Sequence, residues 1–231
     1  MFFIYTDNLK HGKVQLGVVL LISLQLLFFC LSELFGSLRF TEDYPFEFIP
    51  ILFSLKPVLY SYTLITATFL HVGFWHLFGN VIFFLAFART LERLFGTLVF
   101  LASYVFIGAL AYIGDWLLNP NSVTPIVGSS GSVAFLMGVY LMLFPKSKLR
   151  LIIILPLFYK RFWIPSYIFL VSWLALQAYD IFTDDGQSHV AYATHIFGFI
   201  IGIIAAMTWT ELAVDTDRKL TELTELTEQT L

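Results

Sequence analysis

The sequence predicts an all-α polytopic membrane protein, built as a bundle of six transmembrane helices. Three observations carry that prediction. Of 231 residues, 58% are hydrophobic and only 13% are charged, about half the roughly 25% charged residues of a soluble domain. Six apolar runs stand near the length of about 20 residues that a span needs: Val14–Phe35, Phe74–Leu94, Thr97–Leu118, Gly128–Phe144, Trp163–Asp180 and Val190–Leu212. The basic residues gather on one side of those runs. Lys10, Lys13, Arg89, Arg93, Lys146, Lys148, Arg150, Lys160, Arg161, Arg218 and Lys219 share it, while the other side has only Arg39 and Lys56 beside Glu42, Asp43, Glu47, Asp184 and Asp185. By the positive-inside rule both termini are cytoplasmic, which requires an even number of spans.

Residues 1–13 form a cytoplasmic N-terminal segment. The first run, Val14–Phe35, has an apolar core longer than the roughly 7–15 residues of a signal peptide, and no small-x-small cleavage site follows it, so it is a retained span. The connection from Gly36 to Gly73 holds Pro45, Pro50 and Pro57 among many Phe and Tyr. Rings of that kind settle in the membrane interface, and the connection is expected to lie half in it. The fourth run, Gly128–Phe144, covers only about 25 Å at 1.5 Å per residue, against a hydrocarbon core of about 30 Å. With its far end at the cytoplasmic interface near Pro145, its first turn lies below the outer surface. Exposed amides at that depth need protein or a water-filled cavity around them. The connection Pro145–Phe162 contains an apolar stretch, Leu151–Leu155, too short to cross. Residues 14–212 thus form one six-span domain in the plasma (inner) membrane, and residues 213–231, with a brief Thr-Glu-Leu repeat, are a solvated cytoplasmic tail. The single cysteine, Cys30, excludes an internal disulfide, and no basic cluster with interleaved aromatics suggests nucleic acid.

The chemistry-bearing stretch is Val127-Gly128-Ser129-Ser130-Gly131-Ser132-Val133. Glycines let a backbone come close to a substrate or to another helix, and a helix N-terminus favours negative charge. The alternative is that these are only small residues for packing in lipid. Polar residues elsewhere favour the chemical reading, since ionisable groups within spans are functional candidates. His76 and Asn80, four apart at the start of the second span, share one face and can donate toward one point, as a developing oxyanion requires. His195 is followed by Gly198 and Gly202, a close-packing stripe. The fourth span offers Ser130, Ala134 and Gly138 at matching steps, so that contact between the two stripes brings an imidazole to the Ser130 hydroxyl. His71 and His76 are five apart, unlike the His-Glu-x-x-His of a zinc helix, and no carboxylate lies near; no metal and no cofactor are expected. His11 and His189 stand near span ends and are assigned to the interface.

Taken together, His71, His76 and Asn80 in a His-x4-His-x3-Asn pattern, the Glu92…Gly96 step, Gly128-Ser129-Ser130-Gly131, and His195 with Gly198 and Gly202 resemble the rhomboid intramembrane serine proteases over roughly Thr66 to Gly202. The resemblance implies that Ser130 is the nucleophile and His195 its general base, in a dyad without an aspartate. His76, Asn80 and the Ser130 amide form the oxyanion hole, and His71 supports the long first connection. Gly128, Gly131, Gly198 and Gly202 support the site, while Ser129 and Ser132 are not nucleophiles. Two positions depart from the family pattern. The aromatic usually four residues after the serine is Ala134 here, with Phe135 next, and Tyr62-Thr63 replaces a Trp-Arg pair in the first connection. The first bears on how the histidine is positioned, the second on how the connection is anchored.

The expected function is endoproteolysis of transmembrane segments of other proteins, with the lipid bilayer as surroundings. A catalytically inactive rhomboid-like protein that binds membrane helices is the alternative. A transporter or channel would need a polar path across most of the bilayer, whereas the polar groups cluster toward one leaflet.

Overall fold

The computed structural model describes residues 2–9, 15–35, 39–41, 44–154, 159–184 and 190–228. Lys10, His11, Lys13, Glu42, Asp43, Asp185 and His189 lie outside the described residues. The described chain runs β1 (Phe2–Asp7), α1 (Leu16–Phe35), β2 (Arg39–Thr41), β3 (Tyr44–Pro45), α2 (Pro50–Leu55), α3 (Pro57–Tyr60) and α4 (Thr63–Thr66). It continues with α5 (Phe74–Phe95), α6 (Thr97–Leu118), α7 (Ser130–Leu143), β4 (Lys148–Ile154), β5 (Tyr159–Pro165), α8 (Ser166–Thr183) and α9 (Tyr192–Glu228).

Among the described residues, four helices are long and apolar enough to cross a membrane: Leu16–Phe35, Phe74–Phe95, Thr97–Leu118 and, within α9, Tyr192–Glu211. This is an integral membrane protein. The two remaining candidates fall short for different reasons. α7 has 14 residues, about 21 Å of helix, because Gly128 adopts φ 118° and cannot belong to it. The helix therefore starts at Ser130, two residues later than the apolar run. α8 has 18 residues but carries Gln177 and Asp180 inside its apolar pattern.

α7 is apolar all round, as befits a helix enclosed by others, and Gly131 through Tyr140 are all buried. α9 packs along it more extensively than any other element, with α6, α5 and α8 completing the enclosure. α1 is tied in at its start. The buried Glu92 carboxylate on α5 accepts the Gly17 and Val18 amides at 2.7 and 2.8 Å and the Thr97 hydroxyl at 2.7 Å. A carboxylate against the positive end of a helix answers both orphan amides and macrodipole.

The all-α expectation needs correction, since the fold is mostly helical but not wholly so. β1, β4 and β5 form an antiparallel sheet in the order β1-β4-β5. The run Leu149–Ile154 ends in three β-branched residues, Ile152, Ile153 and Ile154, and is too short to span, so it satisfies its backbone by pairing. β1 comes from the stretch read as a plain N-terminal segment. Its Asp7 carboxylate takes hydrogen bonds from the Thr90 hydroxyl of α5 at 2.6 Å and the Tyr140 hydroxyl of α7 at 2.8 Å. At the other end of the chain, α9 continues without a break to Glu228, because no Gly or Pro follows Gly202 to stop it.

The long first connection is folded against the bundle. Phe48, fully buried, stacks near Tyr112 of α6 at 5.4 Å, and Phe53 meets Trp116 edge-on at 5.5 Å. Tyr62, which stands where the family's Trp-Arg pair begins, donates its hydroxyl to the Pro45 carbonyl at 2.8 Å, and Thr66 donates to the Phe46 carbonyl at 2.6 Å. Those bonds anchor the connection without the pair.

Candidate active site

The site is assembled where the loop 119–129 turns into α7. Gly128 sits at φ 118°, a region that residues with a Cβ avoid. Its amide donates to the Ala67 carbonyl at 2.9 Å, and its carbonyl accepts the Tyr112 hydroxyl at 2.8 Å. A methyl group at this position would come 2.7 Å from His76 Nε2 and 3.5 Å from Asn80 Nδ2. The loop before the serines therefore lies directly against both side chains.

Three hydroxyls follow, with three different fates. Ser129 is fully buried and donates to Gln25 Oε1 of α1 at 3.2 Å, with His71 Nε2 at 3.5 Å on its other side. Ser132 donates to the Tyr104 carbonyl at 2.8 Å. Ser130, the first residue of α7, is half-buried and lines a cavity, and its hydroxyl makes no hydrogen bond to a described residue. That cavity holds about 1110 Å³ and is also lined by His76, Asn80, Met137, Trp173 and His195.

Each donor candidate has a definite place. Asn80 is buried on α5, and its Nδ2 has no hydrogen-bond partner among the described residues. His76 packs edge-on against His71, with ring centres 5.1 Å apart. His71 touches both the Ser129 hydroxyl and the His76 ring. Burial, with the His76 ring adding to it, pushes the His71 imidazole down to about 3, so it is neutral at any working pH.

His195 occupies the first turn of α9. Its Nδ1 is hydrogen-bonded to Gln177 Oε1 of α8. Trp173, one turn earlier on α8, lies over the imidazole at 5.7 Å and 36°, and Tyr192 meets it edge-on at 6.4 Å. The residue before the histidine is fixed as well, since the Thr194 amide and hydroxyl both donate to the Asp115 carboxylate of α6. Ser130 and His195 line one cavity, but no hydrogen bond joins them. Such bonds are commonly long before substrate binds.

The expected contact between two stripes of small residues is present, with one correction. On α9 the stripe is Gly198 and Gly202, as expected. On α7 it is Gly131, the Phe135 backbone and Gly138, not Ser130, Ala134 and Gly138. A Cβ at Gly198 would overlap the Gly131 carbonyl, one at Gly202 would come 3.0 Å from the Val139 amide nitrogen, and one at Gly138 would come 3.1 Å from the Ile203 nitrogen. The one-residue rotation leaves Ser130 facing the cavity instead of the seam. At Gly131 a Cβ would come 2.7 Å from Ala111 and 2.8 Å from Thr194, so α6, α7 and α9 all converge beside the serine.

Five residues here escape a reading confined to histidines: Gln25, Asp115, Tyr112, Trp173 and Gln177. For three of them a signal existed. Gln25, Asp115 and Gln177 are polar side chains inside apolar runs, each as costly to leave unpaired in lipid as a histidine.

A family model of the rhomboid domain matches residues 59–211. A Bacillus subtilis (strain 168) protein named "Putative rhomboid protease YdcA" is 41% identical over 78 residues, which cover 34% of this chain and 39% of that protein. "Rhomboid-like protein 11, chloroplastic" of Arabidopsis thaliana is 28% identical over 133 residues, covering 58% of this chain and 44% of that protein. The matches thus span less than half the length of either relative. With two thirds of its length under the domain match and the His71, His76, Asn80, Ser130 and His195 side chains gathered at one end of the helices it covers, the chain belongs to the rhomboid family.

Proposed function

We propose that the protein is an intramembrane serine endopeptidase that cuts transmembrane segments of other membrane proteins. The observation that carries this reading is the company around one cavity: a serine hydroxyl and a buried Asn80 amide that have no hydrogen-bond partner among the described residues, and a histidine whose Nδ1 is already engaged. Buried polar groups are normally satisfied, and an exception calls for an explanation. An amide donor held for an oxygen that becomes negative only during reaction supplies one.

In the first step Ser130 Oγ attacks the scissile carbonyl carbon, and its proton passes to His195 Nε2. The carbonyl oxygen takes the negative charge and is met by Asn80 Nδ2, His76 and the Ser130 amide at the start of α7. Collapse breaks the C–N bond, His195 returns the proton to the leaving nitrogen, and an acyl-enzyme ester remains on Ser130. Water, deprotonated by His195, then hydrolyses the ester and restores the serine. A substrate helix has its carbonyls tied up in its own hydrogen bonds, so it must unwind locally first, and segments with small, helix-weakening residues at the cut are preferred.

The same reading takes α7 and α8 as the fourth and fifth of six spans, with both termini cytoplasmic and the protein in the plasma membrane. Treatment of the purified protein with a fluorophosphonate tests the active serine. Ser130 Oγ displaces fluoride from phosphorus, and the adduct is located by mass spectrometry. An adduct on Ser130 that is lost in His195→Ala supports the reading. An unmodified protein would favour the non-catalytic rhomboid-like binder of membrane helices.

A further inference from the structure

The chemistry assigned to His195 requires more than a nearby imidazole. A neutral imidazole has one protonated and one bare nitrogen, and only the bare one acts as a base. Which nitrogen that is depends on what the other is bonded to. The dyad as usually drawn leaves this choice open, and the expected aromatic on the histidine is missing, since position 134 is alanine.

Both needs are met from α8. Trp173 and Gln177 are four residues apart and share one face of that helix. The Gln177 carboxamide oxygen lies at hydrogen-bond distance from His195 Nδ1. An amide oxygen only accepts, so Nδ1 must carry the proton and Nε2 keeps its lone pair. The Trp173 ring covers the imidazole, and it is held in turn by Phe199 at 6.0 Å and 27°. Gln177 is buried at 9% exposure in a helix that otherwise has little reason to carry an amide. Being neutral, it orients the base without the desolvation that a buried carboxylate would cost.

We infer that Gln177 is a positioning residue for the reaction, completing a Ser130–His195–Gln177 relay in which its oxygen fixes the productive tautomer and Trp173 replaces the missing aromatic. The inference rests on the reading of Ser130 and His195 given above. It makes α8 part of the catalytic apparatus, although α8 supplies no atom that touches the substrate.

The test uses the full-length protein in detergent and the rate of fluorophosphonate labelling as a function of pH. The titratable groups that line the cavity around His195 are His76 of α5, Asp115 of α6, Asp184 after α8 and Glu47 of the first connection, with Tyr192 on its own helix. None changes in the variants. Gln177→Leu is expected to label at least about tenfold more slowly, since the wrong tautomer removes most of a general base's contribution, with an unchanged unfolding midpoint. Gln177→Glu keeps an acceptor at the same reach and is expected to recover most of the rate. Its carboxylate favours the imidazolium. The acid limb of the profile, where activity is lost as His195 protonates, should therefore move to higher pH.

A wild-type rate and profile in Gln177→Leu would overturn the inference. Should the leucine variant fail to fold, Gln177→Glu decides alone, and an unshifted acid limb in it would overturn the inference. A faster Gln177→Leu would mean that the amide presents its nitrogen to Nδ1 and holds the unproductive tautomer, which also overturns it. Failure of the wild type to label is a separate result and removes the dyad reading itself.

Discussion

A buried donor left without an acceptor costs roughly 1–3 kcal/mol, and Asn80 Nδ2 is in that state among the described residues. If that donor is held for an oxyanion, removing it should harm turnover and spare the fold. Asn80→Ala is therefore expected to lower turnover by about 10²–10³-fold while leaving the thermal midpoint in detergent unchanged or slightly raised. A large fall in the midpoint would mean that Asn80 is a structural residue. Ser130→Ala and His195→Ala are each expected to abolish cleavage, with the double variant no worse than either, because groups acting as a unit are not additive. At this scale the sequence singles out His76, Asn80, Ser130 and His195, which line one cavity, because ionisable groups and glycine-flanked serines stand out in apolar runs. It was a poor guide to the residues that hold them. Gln177 and Asp115 touch His195 and Thr194 only after α6, α8 and α9 come together, across 18 and 79 positions of sequence, and no local pattern encodes such a meeting.

Among elements, the seam between α7 and α9 sets the site's geometry. In lipid no hydrophobic force pulls helices together, so close backbone packing must do so. A side chain at Gly198 would overlap the Gly131 carbonyl and come 3.4 Å from Ala111. Gly198→Val and Gly202→Val are expected to insert and fold yet lose most fluorophosphonate labelling, since a shift near 1 Å at a catalytic contact can cost about 10²-fold. Full labelling in both would show that the seam does not control the Ser130–His195 geometry. The stripe on α9 was readable from the spacing of its glycines. Its partner on α7 was not, because the register depends on where that helix begins, and the left-handed Gly128 moves the start to Ser130. The sheet is not legible locally, because a short apolar run such as Leu149–Ile154 fits a buried strand and a buried helix segment equally well by its pattern. Asp7 joins that sheet to α5 and α7, so Asp7→Ala is expected to lower stability by about 1–3 kcal/mol, as when buried hydroxyls lose their acceptor, read as a lower unfolding midpoint in detergent.

For the whole molecule, the architecture places a largely apolar cavity with a few polar groups, Ser130, His76, Asn80 and His195 among them, between helices of unequal reach. Four described helices suffice in length and composition to span, and the shorter apolar helix enclosed among them, α7, is the one whose first residue is Ser130. A short helix ending at one membrane face leaves its N-terminus, with its unpaired amides, inside the bilayer thickness. On the proposed function, that geometry would bring hydrolytic chemistry to a peptide bond that stays within the membrane. The composition and charge asymmetry made a polytopic protein legible from the outset. The number of spans is less legible, because α8 carries Gln177 and Asp180 within its run and loses apolar character by it. The proposed function requires Ser130 to be a nucleophile toward peptide bonds within membranes. Its most direct measurement is incubation of the full-length protein, reconstituted in liposomes, with a single-span substrate whose transmembrane segment contains small residues. The account expects a cut inside that segment by the wild type and none by Ser130→Ala, whereas equal product from both, or no product from either in the presence of correctly folded protein, would contradict it.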